Sequence, residues 1–553
     1  MSDPNASIRR LALVAALASG LAACGTANTV RIANDAAKRG DYAAAMERYA
    51  SAAQEGDPEA QFRLGQGYER GEGVPQDYDR ALYWFELAAA QGHVPAYSAA
   101  GKIYNSKDFA RRDPVKAAAY FAQAAAAGEK DASLQAGRLY AEGGAGLEAD
   151  GQRALSYFQS AAATGDPRAR YELGNLYAEG RLVPQDEQRA VQFWTEAANA
   201  GHNGSRIALA RALGEGRVVA RDPARAEQLL QAAAAQGEEK AWRELGNAHA
   251  PGGWLQSDAS RAVFYWTRAS EAGDAASTLA LARAYSRNEI TAPDPQKAVA
   301  FYRQAADQGE TKAYRELAEL LASGKAGQAD PTQAVALWQR AAAAGDRSAH
   351  LSLARAFADG IGVQPDGRQA EFHYRAAAEA GDAKAWRELG NLYAEGRAVP
   401  ADQRLAVENW QRAAAAGDLQ AHLSLARAYA EGNGVPRDPT QAVAYWTKAG
   451  EGGEPKAWGE LGNAYSEGVV VPADNQRAIA YWRRAAEGGH RSSIVRLARA
   501  YAQGKIVPKD VPRAIAYWRD AQQLGDERAA TELTELYGQL SNAEARTMLG
   551  GSQ

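Results

Sequence analysis

Residues 382–417 read DAKAWRELGNLYAEGRAVPADQRLAVENWQRAAAAG, and this stretch contains the unit from which most of the chain is built. Ala385, Leu389 and Tyr393 are spaced four residues apart, so they fall on one face of a helix. After a glycine-containing loop, Asp402 precedes a second segment whose apolar residues are again spaced as in a helix. The stretch therefore predicts two helices joined by a short loop.

The same unit recurs along the chain at an almost constant spacing. Thirteen full repeats lie between the glycines that close each Ala-rich second helix, with intervals of 36 residues and one of 37. A fixed period of this length is typical of solenoid proteins. We therefore predict an all-α fold, a right-handed superhelical solenoid of helix pairs without a β-sheet. The closing glycines are Gly56, Gly92, Gly128, Gly165, Gly201, Gly237, Gly273, Gly309, Gly345, Gly381, Gly417, Gly453, Gly489 and Gly525.

An aspartate stands at the start of the second helix in every repeat. Because an aspartate in this position accepts hydrogen bonds from free backbone N–H groups, we interpret these residues as helix caps and not as catalytic carboxylates. Five of them precede a proline, which suits the first position of a helix. The thirteen are Asp77, Asp113, Asp150, Asp186, Asp222, Asp258, Asp294, Asp330, Asp366, Asp402, Asp438, Asp474 and Asp510.

The first residues have the pattern of an export signal. Arg9 and Arg10 precede a short apolar segment over residues 11–21, which is too short to span a bilayer. Leu-Ala-Ala-Cys at residues 21–24 resembles the bacterial lipobox, and this resemblance implies cleavage before Cys24 and lipidation of its thiol. Gly25, in place of an aspartate, implies transport to the outer membrane. The alternative is a plain secretory signal that ends beside a cysteine.

Composition and motifs exclude several classes of function. The 553 residues carry a net charge of −4 and one cysteine, so neither a broadly basic nucleic-acid binder nor a multi-cysteine zinc site fits. No phosphate-binding loop, nucleophile elbow or H-E-x-x-H sequence is present, and the seven histidines are scattered along the repeats. We therefore predict a protein that is not an enzyme, with no catalytic residues, no metal site and no cofactor.

The repeat boundaries predict five regions. Residues 1–23 form the signal peptide, 24–34 a lipidated leader and 35–56 a half-repeat. Residues 57–525 contain the thirteen repeats, and 526–553 a C-terminal capping helix with a tail.

The pattern A-x-x-x-L-G-x-x-Y, followed by a glycine loop, Asp, and A-x-x-x-W-x-x-A-A-x-x-G, resembles the Sel1-like repeat, a relative of the tetratricopeptide repeat. Gly432-Asn433-Gly434-Val435 also carries the G-x-G-V loop of that family. The resemblance covers roughly Asp57 to Leu549 and implies a solenoid that holds other molecules.

A lipidated cysteine followed by a leader and a half-repeat is similar to the AlgK-like scaffold lipoproteins of alginate export. This second resemblance implies a non-catalytic scaffold on the periplasmic face of the outer membrane that serves exopolysaccharide secretion. Its partners would be an outer-membrane porin or periplasmic secretion or polymer-modifying proteins. The alternatives are a cell-surface or signalling adaptor of the virulence type and an activator of a cell-wall enzyme.

First helices alternate between two classes with a period of 72 residues. One class places an arginine in a column where the other class has an asparagine, and we predict that these arginines line a groove that binds an acidic polysaccharide or an acidic partner segment. The alternative is that each arginine pairs with a glutamate of a neighbouring repeat, from the set Glu172, Glu244, Glu316, Glu388 and Glu460. The candidate binding arginines are Arg211, Arg283, Arg355, Arg427 and Arg499.

Trp254 is the one tryptophan outside the repeat pattern, in the loop Ala250-Pro251-Gly252-Gly253-Trp254-Leu255. An aromatic side chain on a glycine-rich loop could anchor a partner, which makes Trp254 a further candidate for binding. The alternative is that the ring packs locally within its loop.

Overall fold

The structure, a computed structural model, describes residues 26–325 and 327–539. Two helices, α1 over residues 26–38 and α2 at Tyr42–Gln54, precede the repeats. The first helices of the thirteen repeats, and the helix that follows them, are α3 Pro58–Arg70, α5 Val94–Asn105, α7 Ala132–Glu142, α9 Pro167–Glu179, α11 Asn203–Glu215, α13 Glu239–His249, α15 Ala275–Ser286, α17 Thr311–Ala322, α19 Arg347–Asp359, α21 Ala383–Glu395, α23 Leu419–Glu431, α25 Pro455–Glu467, α27 Arg491–Gln503 and α29 Ala529–Gly538.

The second helices are α4 Tyr78–Ala90, α6 Pro114–Ala126, α8 Gly151–Ala163, α10 Glu187–Asn199, α12 Pro223–Ala235, α14 Ala259–Glu271, α16 Pro295–Asp307, α18 Pro331–Ala343, α20 Gly367–Glu379, α22 Gln403–Ala415, α24 Pro439–Glu451, α26 Asn475–Glu487 and α28 Val511–Gln523. Over the described ranges there is no β-strand, only an isolated bridge between Gly144 and Leu147. The prediction of an all-α array of helix pairs is confirmed.

The chain divides into two compact units, one up to Asp274 and the other from Ala275 onward. In each unit, every helix packs against its neighbours in the sequence, and the core is built from small alanines and larger aromatic and leucine side chains. Trp482 and Trp518 in the second unit and Phe85 and Phe121 in the first are among the largest fully buried side chains. The alanines allow the close approach of helices that such packing requires.

The aspartate at the start of each second helix makes two kinds of hydrogen bond. In all thirteen repeats its carboxylate accepts from the backbone N–H three residues later, at 2.9–3.1 Å. Its own N–H donates to a carbonyl near the end of the first helix, at 2.8–3.1 Å. For Asp402 these partners are Leu405 and Tyr393. The predicted caps are therefore confirmed, and each aspartate also joins the two helices of its repeat.

The closing glycines allow the chain to reverse between repeats. All fourteen adopt a positive φ between 76° and 100°, a region that side chains with a Cβ rarely occupy. Each follows the last turn of a second helix and leads into the next first helix. The regular spacing of these glycines in the sequence thus reflects a backbone requirement.

A second glycine, in the middle of alternate first helices, makes room for a tryptophan. The indole of Trp410 lies so close to Gly390 that a Cβ there would overlap with the ring. The neighbouring Asn391 accepts a hydrogen bond from Trp410 Nε1 at 3.0 Å. The same arrangement joins Trp194 to Asn175, Trp266 to Asn247 and Trp482 to Asn463. The asparagine class of the alternation therefore satisfies the indole N–H of a tryptophan packed between the helices.

The N-terminal boundary between leader and half-repeat, placed between residues 34 and 35, lies inside α1. Val30, Ala33 and Ala36 of this helix are buried in one cluster with Tyr49 of α2. The predicted signal peptide and the predicted lipidation site Cys24 lie outside the described residues, as does the predicted tail from residue 540. Across the described part of the chain, no helix combines the length and apolarity needed to cross a membrane.

We expect Asp402→Ala to lower the free energy of unfolding by about 1 kcal/mol, because the capped N–H of Leu405 loses its acceptor. Asp402→Asn should cost much less, because the amide oxygen can still accept and asparagine caps helices about as well as aspartate. Urea unfolding followed by circular dichroism measures both. Equal losses for Ala and Asn would show that the carboxylate does not act as a cap.

Candidate functional site

The arginine column lies on the first helices of alternate repeats, α11, α15, α19, α23 and α27. Three of its members pair with a glutamate on the next first helix, and these pairs are Arg211–Glu244, Arg283–Glu316 and Arg355–Glu388. Arg283 Nε donates to Glu316 Oε2 at 2.8 Å, and the Arg355–Glu388 contact is longer, at 3.4 Å. In these repeats the arginines pair with glutamates of the same chain. This is the alternative that the sequence left open to arginines that line a binding groove.

The Arg283–Glu316 pair belongs to a larger charged network. Glu316 is buried, and burial by itself would raise its pKa, but the hydrogen bonds and charge of Arg283 outweigh this effect and hold the pKa below its usual value. Arg315 also lies beside Glu316 and donates to Asp346, which caps α19. The network thus connects three consecutive first helices. Corresponding chains link Arg211 to Asp274 through residues 243–244 and Arg355 to Asp418 through residues 387–388.

The last two arginines of the column differ from the first three. Over residues 26–325 and 327–539, no carboxylate lies within ion-pair distance of Arg427 or Arg499. In the repeat after Arg427, Gly459 occupies the position that Arg243, Arg315 and Arg387 have elsewhere. Arg499 instead lies over the ring of Trp518, 6.0 Å from its centroid. Both arginine side chains are exposed, so a ligand can reach their guanidinium groups.

Arg211 also lines a cavity between α9, α10 and α11. The cavity has a volume of about 280 Å³, and Tyr171, Trp194 and Ile207 contribute its apolar walls. Glu187 and Glu215 face the same space as Arg211 and Arg217, so its charges are balanced. A cleft of this size between repeats can hold one side chain of a partner.

Trp254 packs against its own unit. Its half-buried ring covers Gly214 of α11, where a Cβ would overlap with the indole, and its carbonyl accepts a hydrogen bond from Arg221. The indole packs against the edge of a hydrophobic cluster that includes Leu213 and Leu230. Local packing is thus what the structure shows for Trp254, while its use as a partner anchor stays a prediction.

His350 and His373 form a contact that the sequence analysis missed. Their Nδ1 atoms are 2.9 Å apart, so one ring donates and the other accepts, and Phe357 stacks on His373. The burial of His373, followed by the proximity of His350, lowers the pKa of His373 to about 4. The two residues occupy different helices and different repeat columns, which is why no periodicity brings them together. In the described part of the chain, no three side chains of His, Cys, Asp or Glu are grouped to hold a metal ion.

The repeat geometry agrees with a search against models of protein families. The Sel1 repeat model matches residues 58–93, 95–129, 130–166, 167–202, 205–238, 243–274, 275–310, 311–346, 347–382, 383–418, 419–454, 460–490 and 492–526. The chain therefore belongs to the Sel1 repeat family, and the resemblance seen in the sequence is confirmed. Sel1-repeat proteins are generally non-catalytic scaffolds for interactions between proteins.

Solved structures with similar chains include other Sel1 proteins. The protein c5321, a protective antigen of uropathogenic Escherichia coli with an SLR fold, is 24% identical, with 92% of this chain and 97% of that chain covered and a TM-score of 0.45. A Sel1 repeat protein from Oxalobacter formigenes is 28% identical over 55% of this chain and 88% of its own, also with a TM-score of 0.45. Immunity protein Pa5087 from Pseudomonas aeruginosa is 20% identical, with coverages of 39% and 82% and a TM-score of 0.27. No curated protein matches the chain.

We expect Arg283→Gln to lower the free energy of unfolding by about 1–2 kcal/mol at neutral pH, because it leaves the buried Glu316 carboxylate without its main partner. Arg427→Gln is the matched control from the same column, and its effect should stay below about 0.5 kcal/mol.

The sign of the pH dependence follows from the low pKa of Glu316. The stabilisation by Arg283 is fully present above the ordinary carboxyl pKa of 4.5 and is lost as the pH falls through the lower pKa of folded Glu316. Urea unfolding of the wild type and Arg283→Gln should therefore converge in acid. A constant difference down to acid pH would contradict the pairing.

We expect the wild type to lose stability as the pH falls from 6.5 towards about 4, because His373 takes up its proton more readily in the unfolded chain. His373→Tyr should reduce this loss. The chain itself supplies the template, since Tyr445 occupies the same column and packs beside His422. Unfolding midpoints across this pH range measure the effect, and identical pH profiles of the two proteins would contradict it.

Proposed function

We infer that this Sel1 protein is a lipid-anchored scaffold at the periplasmic face of the outer membrane. The observation that carries the inference is the Leu-Ala-Ala-Cys sequence at residues 21–24, which precedes an almost unbroken array of Sel1 repeats over residues 58–526. Acyl chains on Cys24 would give stable membrane attachment, since each buried CH₂ contributes about 0.8 kcal/mol. The array would then extend from the anchor into the compartment where envelope proteins meet.

The surface of the repeats supports a role in binding proteins. Tyr83, Phe264 and Phe372 occupy the same column on second helices and are 55–60% exposed. Each lies against the aromatic or histidine ring that follows it in the sequence, which restricts its motion. Exposed aromatic side chains of limited mobility are typical of protein interfaces.

The process that the scaffold serves would be exopolysaccharide secretion. This part of the proposal is supported by the similarity to AlgK-like lipoproteins, in which a lipidated cysteine precedes a Sel1-like array. The partners would be an outer-membrane porin or periplasmic proteins that transport or modify the polymer. The protein would hold these partners in place and would not itself act on the polymer.

We expect Cys24→Ser to remove the protein from the outer-membrane fraction, by release or by mislocalisation, because the serine hydroxyl cannot carry the thioether-linked lipid. Fractionation of cells followed by immunoblotting measures the change, and Thr26→Ser is a control that leaves the cysteine intact. An unchanged outer-membrane position of the Cys24→Ser protein would contradict lipid anchoring.

The role in secretion is tested by deleting the gene and measuring secreted acidic polysaccharide. The proposal expects a loss of secreted polymer that the wild-type gene restores and the Cys24→Ser gene restores only in part. Normal secretion together with altered peptidoglycan hydrolysis would contradict this role and favour the activator of a cell-wall enzyme.

A further inference from the structure

The second unit has a cavity whose charge differs from that of the cavity beside Arg211. It lies beside α27, between α25, α26 and the segment before α29, and has a volume of about 420 Å³. Its charged lining consists of five cations and one carboxylate, namely Arg491, Arg496, Arg499, Lys505, Arg528 and Asp526. The cavity beside α27 is therefore strongly positive, whereas the charges around the cavity beside Arg211 are balanced.

Most of these cations are not neutralised by the protein itself. Asp526 accepts from Arg528 at 2.8 Å, so this acid and this base compensate each other. Arg496 reaches Glu467 only at 3.9 Å, and both side chains are largely exposed, so water weakens this contact. In the ranges that the structure describes, no carboxylate lies within ion-pair distance of Arg491, Arg499 or Lys505.

The excess of positive charge arises from departures from the repeat. Arg496 stands in a column where the equivalent repeats have Ser424, Ser352 and Ala280. Gln503 replaces an acid that the other repeats of this class mostly have, as in Glu431, Asp359 and Glu215. One column has therefore gained a cation and another has lost an anion on the same face of α27.

The partner of Arg499 is also missing. Glu532 is 33 residues further on, the spacing that separates Arg283 from Glu316, yet the two side chains do not pair. The helix α29 begins at Ala529. In α21 the equivalent residue is Ala385, the third residue of the helix, so α29 begins two residues later than α21 does. The last helix of the array thus begins later than most of the other first helices do. Among the residues that the structure describes, the guanidinium of Arg499 has no carboxylate partner, and it can bind a ligand.

We propose that this cationic cavity binds an acidic segment of a partner protein, one with two or three glutamate or aspartate side chains. Arginine forks pair with carboxylates through two hydrogen bonds, and the partly exposed Ile506 supplies an apolar contact to the rest of such a segment. This inference rests on the role of the repeats in holding proteins, and it does not depend on the membrane anchor or on polymer export.

The aromatic side chains at the cavity favour a peptide over an acidic polysaccharide. Trp482 lines the cavity but is only 1% exposed, and its Nε1 is already bonded to Asn463. Trp518, beneath Arg499, is fully buried. Sugar rings bind to open aromatic faces, and neither indole offers one, whereas a peptide needs only the cations and the small apolar surface.

The test measures binding of a fluorescein-labelled peptide to the full chain purified in detergent. The probe is a peptide of about ten residues built from Ala-Glu-Leu-Glu units, and its counterpart carries glutamine in place of glutamate. We expect the glutamate peptide to bind, with an affinity that falls roughly tenfold between about 50 and about 300 mM salt. The glutamine peptide should bind at least about tenfold more weakly.

Variants locate the site. Changing Arg491→Gln, Arg496→Ser and Arg499→Gln together should weaken binding of the glutamate peptide at least about tenfold. The unfolding midpoint should shift only slightly, because these side chains are exposed and their ring contacts with Trp482 and Trp518 are weak. The control combines Arg225→Gln, Arg268→Gln and Arg404→Gln, which remove the same charge from second helices outside the cavity, and should change the affinity less than about twofold. Lys505→Gln alone should produce a smaller loss than the triple change.

Three results would overturn the proposal. They are equal binding of the glutamate and glutamine peptides, equal losses in the cavity and control variants, and tighter binding of an oligogalacturonate that depends on the same arginines. Because this assay contains neither membrane nor polymer-export machinery, its outcome is separate from that of the fractionation of Cys24→Ser. If the protein is anchored but does not bind the peptide, the proposed function of the cavity is wrong and the scaffold proposal is unaffected.

Discussion

The structure depends on the aspartate that precedes each second helix, because this one residue bonds to both helices of its repeat. The carboxylate of Asp402 accepts from the N–H of Leu405, and its own N–H donates to the carbonyl of Tyr393. Both groups would otherwise be unsatisfied at helix ends, so the loop between the helices is fixed by local bonds. All thirteen repeats have this arrangement, so the same two bonds join the helices of every pair.

Packing between the helices then decides which other residues are free for binding. In one class of repeats the glycine and asparagine of the Leu-Gly-Asn sequence accommodate a tryptophan and its N–H. In the other class the first three arginines of the candidate column, Arg211, Arg283 and Arg355, pair with glutamates of the next repeat. These interactions occupy one repeated polar column of the first helices in each class. Binding specificity is therefore expected where the pattern is broken, and the face of α27 with Arg496 and Gln503 is such a place.

The helix pairs, caps and reversing glycines could be predicted from the sequence because each depends on residues close together in the chain. The partners of the arginine column could not be decided, since Arg283–Glu316 joins residues 33 positions apart and the absence of a pair at Arg427 follows no spacing rule. His350 and His373 meet through the packing of two helices, which no single periodicity describes. The charge of the cationic cavity could not be predicted from the sequence. It depends on which departures from the repeat lie on the same face of α27, and only the structure shows this.

The central claim is that regular repeats carry the fold while departures from the repeat carry binding. Hydrogen exchange of the full chain, measured with and without the acidic peptide, tests this claim because the repeats serve as internal controls for one another. We predict slower exchange with peptide in residues 491–505 and no change in the equivalent residues 419–433 and 347–361. Equal protection of all three segments, or protection only elsewhere in the array, would contradict the account.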